Sequence, residues 1–225
     1  MASTERTTTG RQPRSAPAAA ADPSITPVFP LLLLETMRDR DRPREVLEDE
    51  DISVSMPRRL GLSEVVRVQI QRFQKEVRER RAQSAAQVED LIRLVVRRPD
   101  AEEIFQEAGE RVAQHTWEQR AKGMRRLVRF MPGPIGRIAA QRAARRMFRQ
   151  LAGGSRFVVG RWPAELRIHE SLSARADPAG VACAFYGGAF AQLMRQYTSR
   201  EYRVLHPECE TRGETPCRWT VEVAG

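Results

Sequence analysis

Four residues near the C-terminus carry the side chains best suited to hold a metal ion: Cys183, His206, Cys209 and Cys217, which include all three cysteines of the chain. His206 and Cys209 lie three positions apart, within reach of a tight turn, and a hairpin over residues 211–216 can bring Cys217 back to them. Three thiolates and one imidazole form a closed tetrahedral zinc site, and thiolates favour zinc over magnesium or calcium. Because four protein ligands leave no position for water, the spacing predicts a structural zinc site.

The same cysteines permit two other interpretations. Cys183 could be a small buried hydrophobic residue with two incidental thiols nearby, or Cys209 and Cys217 could form a redox pair. An odd number of clustered cysteines argues against a disulfide framework. The most apolar short stretch, residues 28–34, follows a long polar leader and does not resemble an export signal. We therefore expect a cytoplasmic protein.

The spacing of apolar residues changes along the chain and indicates which helices and strands position these four residues. Alternating apolar residues predict strands near residues 157–159, 166–169, 202–205 and 217–223, and a helix from Pro178 to about Tyr197 lies between the two strand pairs. The C-terminal part therefore has a β-β-α-β-β order. Helical patterns precede it, so we expect an α+β fold in which N-terminal helices pack on a small antiparallel sheet.

The chain divides into three predicted regions. The polar composition of residues 1–62 predicts a disordered leader and linker. Apolar residues spaced by three and four positions over 63–98, with Ser63 as N-cap, predict one long helix that could pack against another helix, either of the same chain or of a second copy in a dimer. Asp100 and Glu103 resemble a capping arrangement that opens the next helix, and residues 99–225 form the third region.

The chain is strongly basic, with 38 Lys and Arg against 29 Asp and Glu, a net charge of +9. No acidic residue lies between Glu118 and Glu165, where two amphipathic segments are separated by Pro132-Gly133-Pro134. This pattern is typical of contact between residues 120–161 and an anionic membrane surface or nucleic acid, or of a solvated arginine-rich face over the protein's own core. No apolar run approaches the roughly 18–20 residues of a transmembrane helix.

The sequence around the cysteines resembles the vinyl-4-reductase domain family. The resemblance rests on Cys183-Ala-Phe-Tyr-Gly-Gly-Ala-Phe and on residues 201–221, which contain His206-Pro-Glu-Cys209 and Cys217, and it covers roughly residues 100–223. Members of the family include ligand-sensing domains of aromatic-responsive bacterial activators, a bacteriochlorophyll-synthesis protein and subunits of vesicle-tethering complexes. The resemblance implies an α+β domain, often dimeric, that holds a small hydrophobic molecule beside a zinc site.

In phenol-sensing members of that family, three cysteines and one acidic residue bind zinc. The acidic position corresponds to His206 here, which is a departure from the family, and Glu208 is the alternative ligand. The resemblance also places Trp162 where the sensors have a tryptophan near their ligand, and Phe185 and Tyr186 flank Cys183. These three aromatic residues are candidate ligand-binding residues, since apolar pockets use aromatic side chains for contact area.

Together these observations favour a stand-alone, zinc-stabilised domain that binds an aromatic or tetrapyrrole-like molecule as a carrier, sensor or accessory factor, and that forms a homodimer. One alternative is an enzyme or accessory protein of (bacterio)chlorophyll vinyl reduction. A protein without catalytic activity is favoured, because no G-x-G-x-x-G fingerprint opens a helix and neither His115 nor His169 has a catalytic partner at suitable spacing. The other alternative is a basic interaction protein associated with membrane or nucleic acid.

Overall fold

The computed structural model describes residues 24–41, 52–129, 133–160 and 164–224, without the side chains of residues 52–63, Met124, Leu127 and Arg129. The helices are α1 (Val28–Asp41), α2 (Ile52–Glu79), α3 (Ala85–Val95), α4 (Ala101–Glu118), α5 (Lys122–Arg129), α6 (Gly133–Leu151), α7 (Leu172–Ala176) and α8 (Ala184–Thr198). The strands are β1 (Ser24–Ile25), β2 (Gln83–Ser84), β3 (Phe157–Val159), β4 (Glu165–Ile168), β5 (Tyr202–Glu208) and β6 (Cys217–Val223). Short 3-10 turns occupy Val181–Cys183 and Glu210–Arg212.

The C-terminal strands form one antiparallel sheet in the order β3-β4-β6-β5. This confirms the β-β-α-β-β order and the α+β class. Leu166 and Ile168 of β4 are fully buried while Arg167 between them is exposed, as the alternation predicted. Pairing of β4 with β6 sets Ile168 opposite Cys217, so the buried face of the sheet carries the last cysteine.

Helix α8 packs on β5 and β6 and crosses α4 at very short range. A Cβ atom built on Gly109 of α4 would lie 2.1 Å from the backbone oxygen of Phe185, and one on Gly188 of α8 would lie 2.2 Å from the backbone oxygen of Gln106. Only glycine allows the two backbones to approach this closely. The helix pair forms the centre of the core, where one side of α4 buries Ile104, Phe105, Ala108 and Val112.

Helix α8 begins later than predicted. Pro178 lies in a loop after the short helix α7, and a 3-10 turn leads into α8 at Ala184. The buried carboxylate of Asp177 accepts hydrogen bonds from the backbone N–H groups of Ala179 (3.0 Å) and Ala182 (2.8 Å), so it stabilises a loop where the sequence pattern predicted a helix.

The prediction of a disordered leader is wrong for the part that the structure describes. Residues 24–41 form β1 and α1, and α1 buries Phe29, Leu33, Leu34 and Met37 in the core. Pro30 is compatible with this helix because it lies in the first turn, where no intrahelical N–H bond is lost. Residues 52–62 belong to α2, and the remaining leader and linker residues, 1–23 and 42–51, lie outside the described residues.

The prediction of one long helix over 63–98 is also wrong. Helix α2 begins at Ile52 and ends at Glu79, Arg80 takes a positive φ of 54° that turns the chain, and Gln83 and Ser84 pair with β1. Ser84, not Ser63, acts as an N-cap, since its Oγ accepts a hydrogen bond from the backbone N–H of Gln87 at 3.3 Å.

The regularly spaced apolar residues of α2 and α3, the apolar seam of residues 63–98, pack against the protein's own core. Ile70, Val88, Ile92 and Val95 are buried in the same core as α1 and α4. The seam therefore needs no second copy to cover it, and the homodimer stays a prediction. Helix α4 begins beside Asp100 as expected, but the Asp100 carboxylate pairs with Arg98 at 2.9 Å and makes no capping hydrogen bond.

The basic stretch forms two helices, α5 and α6, as the pattern predicted. The buried side of α6 contributes Ala140, Ala144, Met147 and Phe148 to the core, while arginines on the other side face solvent. Among the described residues, no helix is both long enough and apolar enough to cross a bilayer.

Candidate metal centre

The structure brings the four predicted metal ligands together. One ligand atom from each lies within 4.8 Å of the other three, in a cluster formed by Cys183, His206, Cys209 and Cys217. The three cysteines are free, and each is at most 2% exposed, whereas His206 is half-buried. A donor set of three sulfurs and one imidazole nitrogen in a buried position is suited to a metal ion and is compatible with zinc.

The sulfur separations match tetrahedral coordination. The Sγ of Cys209 lies 3.9 Å from the Sγ of Cys183 and 3.9 Å from the Sγ of Cys217. Four ligands at a zinc–sulfur distance of about 2.3 Å would be about 3.8 Å apart. A disulfide requires a sulfur separation of about 2.05 Å, so Cys209 and Cys217 are not joined by one and both thiols are available for coordination.

Cys183 is held by the turn that precedes α8. Gly180 opens this turn with a φ of 78°, a conformation that suits glycine, and a Cβ at that position would lie 2.6 Å from the Oγ1 of Thr211. The indole Nε1 of Trp219 donates a hydrogen bond to the carbonyl oxygen of Cys183 at 3.2 Å. This bond ties the start of α8 to β6, the strand that carries Cys217.

His206 reaches the cluster through an irregularity in β5. The register between β5 and β6 shifts by one residue between Leu205 and Glu208, so two residues of β5 lie opposite Trp219. A bulge of this kind redirects a side chain. The imidazole stacks on the Trp219 ring at a centroid distance of 4.7 Å and an angle of 3°, and its Nε2 is buried without a hydrogen-bond partner among the described residues. A metal ion would satisfy a nitrogen that protein groups leave unpaired.

Cys209 and Cys217 lie at the two ends of the hairpin loop, as predicted. The backbone N–H of Cys209 donates to the carboxylate of Glu214 at 2.9 Å, and Gly213 closes the 3-10 turn with a φ of 86°. The carboxylate of Glu210 accepts hydrogen bonds from the backbone N–H groups of Glu170 (2.6 Å) and Ser171 (2.9 Å). The loop is therefore anchored to the segment before α7.

Each sulfur has a hydroxyl neighbour that the sequence interpretation missed. The Oγ of Ser173 lies 3.3 Å from the Sγ of Cys183, the Oγ1 of Thr211 lies 3.1 Å from the Sγ of Cys209, and the Oγ of Ser171 lies 3.7 Å from the Sγ of Cys217. The backbone N–H of Glu210 also donates to the Sγ of Cys217 at 3.3 Å. Such donors stabilise thiolates that bind a metal. The position of Thr211 two residues after Cys209 was the one available sequence signal.

The pKa values of two of the cysteines in the cluster shift in opposite directions. Interaction with the Cys183 thiol lowers the pKa of Cys217 to about 3, and His206, Glu210 and Ser171 act in the same direction. The same interaction with Cys217, together with burial, raises the pKa of Cys183 far above its ordinary value. The two thiols are therefore coupled, and metal binding would displace the proton that the pair retains.

Two of the predicted ligand-binding residues lie close to the metal cluster. Phe185 stacks on Phe29 with ring centroids 4.0 Å apart, and Tyr186 packs against Trp219 at 5.4 Å. Both are 1% exposed, and the buried hydroxyl of Tyr186 makes no well-aligned hydrogen bond among the described residues. Trp162 lies outside the described residues. The binding role of these three residues stays a prediction.

Glu208, the alternative metal ligand, is not part of the cluster. Its carboxylate pairs with the guanidinium of Arg218 on the neighbouring strand at 2.6 Å. His206 is therefore the fourth group that the structure brings to the three sulfurs.

A cavity of about 470 Å³ lies elsewhere, at the C-terminal end of α8. Among the described residues, none of the predicted ligand-binding or metal-binding residues lines it. Its lining comes from α4, α5 and the end of α8 and consists of Trp117, Lys122, Arg125, Arg126, Arg195, Gln196 and Ser199. The sequence identified the basic stretch but not this cavity, which depends on how the three helices pack.

No protein-family model, no curated protein and no solved structure matches the chain. The vinyl-4-reductase resemblance therefore stays an expectation from the cysteine-containing segments.

Proposed function

We propose that this protein is a zinc-stabilised binding domain of the vinyl-4-reductase type, in which zinc has a structural role. The observation that carries the proposal is the convergence of four ligand atoms within 4.8 Å, on the residues that the sequence spacing singled out. Zinc is the metal that best suits three thiolates and an imidazole in a closed tetrahedral site. Because all four ligands come from the protein, the site offers no open position for a catalytic water.

The structural role follows from what the cluster connects. Cys209 and Cys217 lie at the ends of the β5–β6 loop, while Cys183 lies at the start of α8. The sheet beneath is small, with only three residues in β3 and four in β4. A metal shared by the loop and the helix would hold this end of the sheet onto the core, a role typical of structural zinc sites.

The proposed ligand is a small hydrophobic molecule, aromatic or tetrapyrrole-like, which the domain would bind as a carrier, sensor or accessory factor. Support comes from the aromatic residues beside the candidate metal ligands: Tyr186 packs against Trp219, and Trp219 stacks on the imidazole of His206. The buried Tyr186 hydroxyl could orient a polar group of such a molecule, since apolar sites use a few polar groups for orientation. We place the protein in a reducing compartment such as the cytoplasm, because the three thiols must stay reduced to bind zinc.

The metal is tested by its stoichiometry in protein purified without chelators. We expect about one zinc per chain by elemental analysis, and cobalt substitution should produce the absorption bands of thiolate coordination. His206→Gln should weaken metal binding, whereas His115→Gln, a matched change of a half-buried histidine on α4, should not. Purified protein without bound metal that also fails to take up zinc or cobalt would refute the site.

The hydrophobic ligand is tested by native mass spectrometry and an absorbance scan of freshly purified protein. We expect a co-purifying aromatic or pigment molecule that remains bound to the zinc-loaded form. Tyr186→Phe should retain the zinc and weaken the complex, because it removes only the buried hydroxyl. If zinc-loaded protein carries no such molecule and binds none of a panel of phenols and porphyrins, the metal assignment stands but the ligand assignment falls.

A further inference from the structure

The cavity at the C-terminal end of α8 has the size of a small-molecule site. Its volume of about 470 Å³ lies within the range of roughly 300–1,000 Å³ typical of such sites. It is separated from the metal cluster by the length of α8, which at 1.5 Å per residue is roughly 20 Å. The cavity therefore belongs to neither the metal centre nor the aromatic residues beside it.

The lining of the cavity carries an excess of positive charge. Lys122, Arg125, Arg126 and Arg195 all contribute to it, and none of the described residues that line it is acidic. Arg195 pairs with the exposed carboxylate of Glu201 at 2.7 Å. The other three cations form no ion pair with any carboxylate that the structure describes. Convergent cations without partners raise the local concentration of anions.

The stability of α5 does not explain these cations. Helix α5 begins at Lys122, so Lys122, Arg125 and Arg126 occupy its first two turns, and no acidic residue lies in the first turn. The N-terminal end of a helix carries partial positive charge and favours anions. The sequence thus places cations at the end of the helix where they are least favourable, which suggests that they serve another purpose.

Two buried polar atoms at the cavity lack partners. The Nε of Arg125, a donor, and the Oε1 of Gln196, an acceptor, are buried and make no hydrogen bond among the described residues. The amide nitrogen of Gln196 donates to Gln114 at 2.8 Å, which leaves its oxygen unpaired. Buried unpaired groups are unfavourable, and an occupant with an anionic group would satisfy the Nε of Arg125.

Trp117 supplies the apolar part of the lining. It is half-buried and packs edge-on against Tyr197 with ring centroids 5.0 Å apart. The guanidinium of Arg120 lies over the Tyr197 ring, 5.5 Å from its centroid, so Tyr197 contacts both an indole and a cation. A fixed indole beside a group of cations favours a molecule that has both a planar apolar body and a negative group.

We propose that this cavity binds a small anion with an aromatic or other apolar body, whose carboxylate or phosphate contacts Arg125 and Arg126 while its body contacts Trp117. This second site goes beyond the zinc-stabilised domain proposed above and does not depend on the metal.

The test uses the zinc-replete protein and four probes, three of which share a naphthyl group. Isothermal titration calorimetry compares 2-naphthoate and 2-naphthyl phosphate with the neutral 2-naphthalenemethanol and with inorganic phosphate. We expect the two naphthyl anions to bind about tenfold more tightly than either partial probe, because they use both the cations and the indole. Equal affinity for the neutral alcohol, or no binding of the anions, would overturn the proposal.

Two matched double variants distinguish binding in the cavity from binding to the basic surface in general. Arg125→Gln/Arg126→Gln and Arg142→Gln/Arg149→Gln remove the same charge, but only the first pair lines the cavity. We expect the first pair to weaken binding of the naphthyl anions about tenfold and the second to leave it within about twofold. Equal losses in both pairs, or binding to phosphatidylserine vesicles in place of the naphthyl anions, would overturn the proposal in favour of a diffuse basic surface.

Discussion

The two ends of α8 differ in whether the polar and charged groups around them find partners within the protein. At the N-terminal end, each of the three cysteine sulfurs lies within 3.7 Å of a serine or threonine hydroxyl, and the four ligand groups face one another. At the C-terminal end, Lys122, Arg125 and Arg126 line a cavity without a carboxylate partner among the described residues. One end is closed around four ligand groups that suit a cation, whereas the other is open and its cationic lining suits an anion.

This difference indicates how the two ends are used. Groups that are oriented and hydrogen-bonded by their own protein need no further partner to hold their geometry, which is typical of a structural metal site. Groups of one charge that remain unpaired around a cavity are suited to a partner from solution. We therefore expect changes at the first end to alter stability, and changes at the second to alter binding.

The largest expected effect is the loss of metal through Cys217→Ser. At a free zinc concentration about 1,000 times Kd, a bound metal contributes about 4 kcal/mol to the free energy of unfolding. For a chain of this size that corresponds to a decrease in Tm of about 8–16 °C. Differential scanning calorimetry with and without a chelator measures it. The chelator should lower the Tm of the wild-type protein and leave that of the variant unchanged; an equal response of both would contradict the prediction.

The next effect concerns the helix crossing that joins the two ends. Gly188→Ala places a Cβ 2.2 Å from a backbone oxygen of α4, so α4 and α8 must separate. Overpacking of this kind costs about 1–3 kcal/mol of the free energy of unfolding, which urea denaturation measures. Gly123→Ala is the control, because nothing lies within 4 Å of its Cβ position in α5. Similar stability of the two variants would mean that the helices do not cross as described.

A smaller effect is expected from the hydroxyl neighbours of the metal ligands. Thr211→Val removes the hydroxyl 3.1 Å from the Sγ of Cys209 and keeps the shape of the side chain. Loss of such a partner lowers metal affinity by about 10–100-fold, which competition with a chromophoric chelator measures. The same substitution at Thr220 on β6, outside the metal cluster, is the matched control. Unchanged metal affinity in Thr211→Val would show that the hydroxyl does not contribute to metal binding.

The smallest effect on stability is expected at the open end of α8. Arg126→Gln removes an exposed cation that forms no ion pair with a described carboxylate, so the free energy of unfolding should change by no more than about 0.5 kcal/mol. Zinc content should stay the same. Thermal unfolding and elemental analysis of one preparation check both values. A loss of several kcal/mol would mean that the cations support the fold, and would remove the contrast between the two ends.

The sequence predicted the C-terminal part of the fold better than the N-terminal part. The strands around Leu166, Ile168 and Trp219 alternate cleanly because one face of the sheet is buried, and this pattern is local. Helix α1 was missed because its apolar run is short and preceded by polar residues, so its burial depends on contacts with α2 and α4 that are distant in sequence. The break at Arg80 was missed because pairing of β1 with β2, not the helical pattern, determines it.

The amino-acid sequence by itself determined which side chains could bind a metal ion, because three thiols and an imidazole at turn and hairpin spacing limit what those side chains can bind. It also determined the concentration of positive charge in residues 120–161. Only the tertiary structure decided which groups meet: Ser173 beside Cys183, His206 turned inward by a bulge, and Arg125 with Gln196 around one cavity. The physical reason is that coordination and burial depend on distances between side chains, and residues from separate elements acquire those distances only when the elements pack.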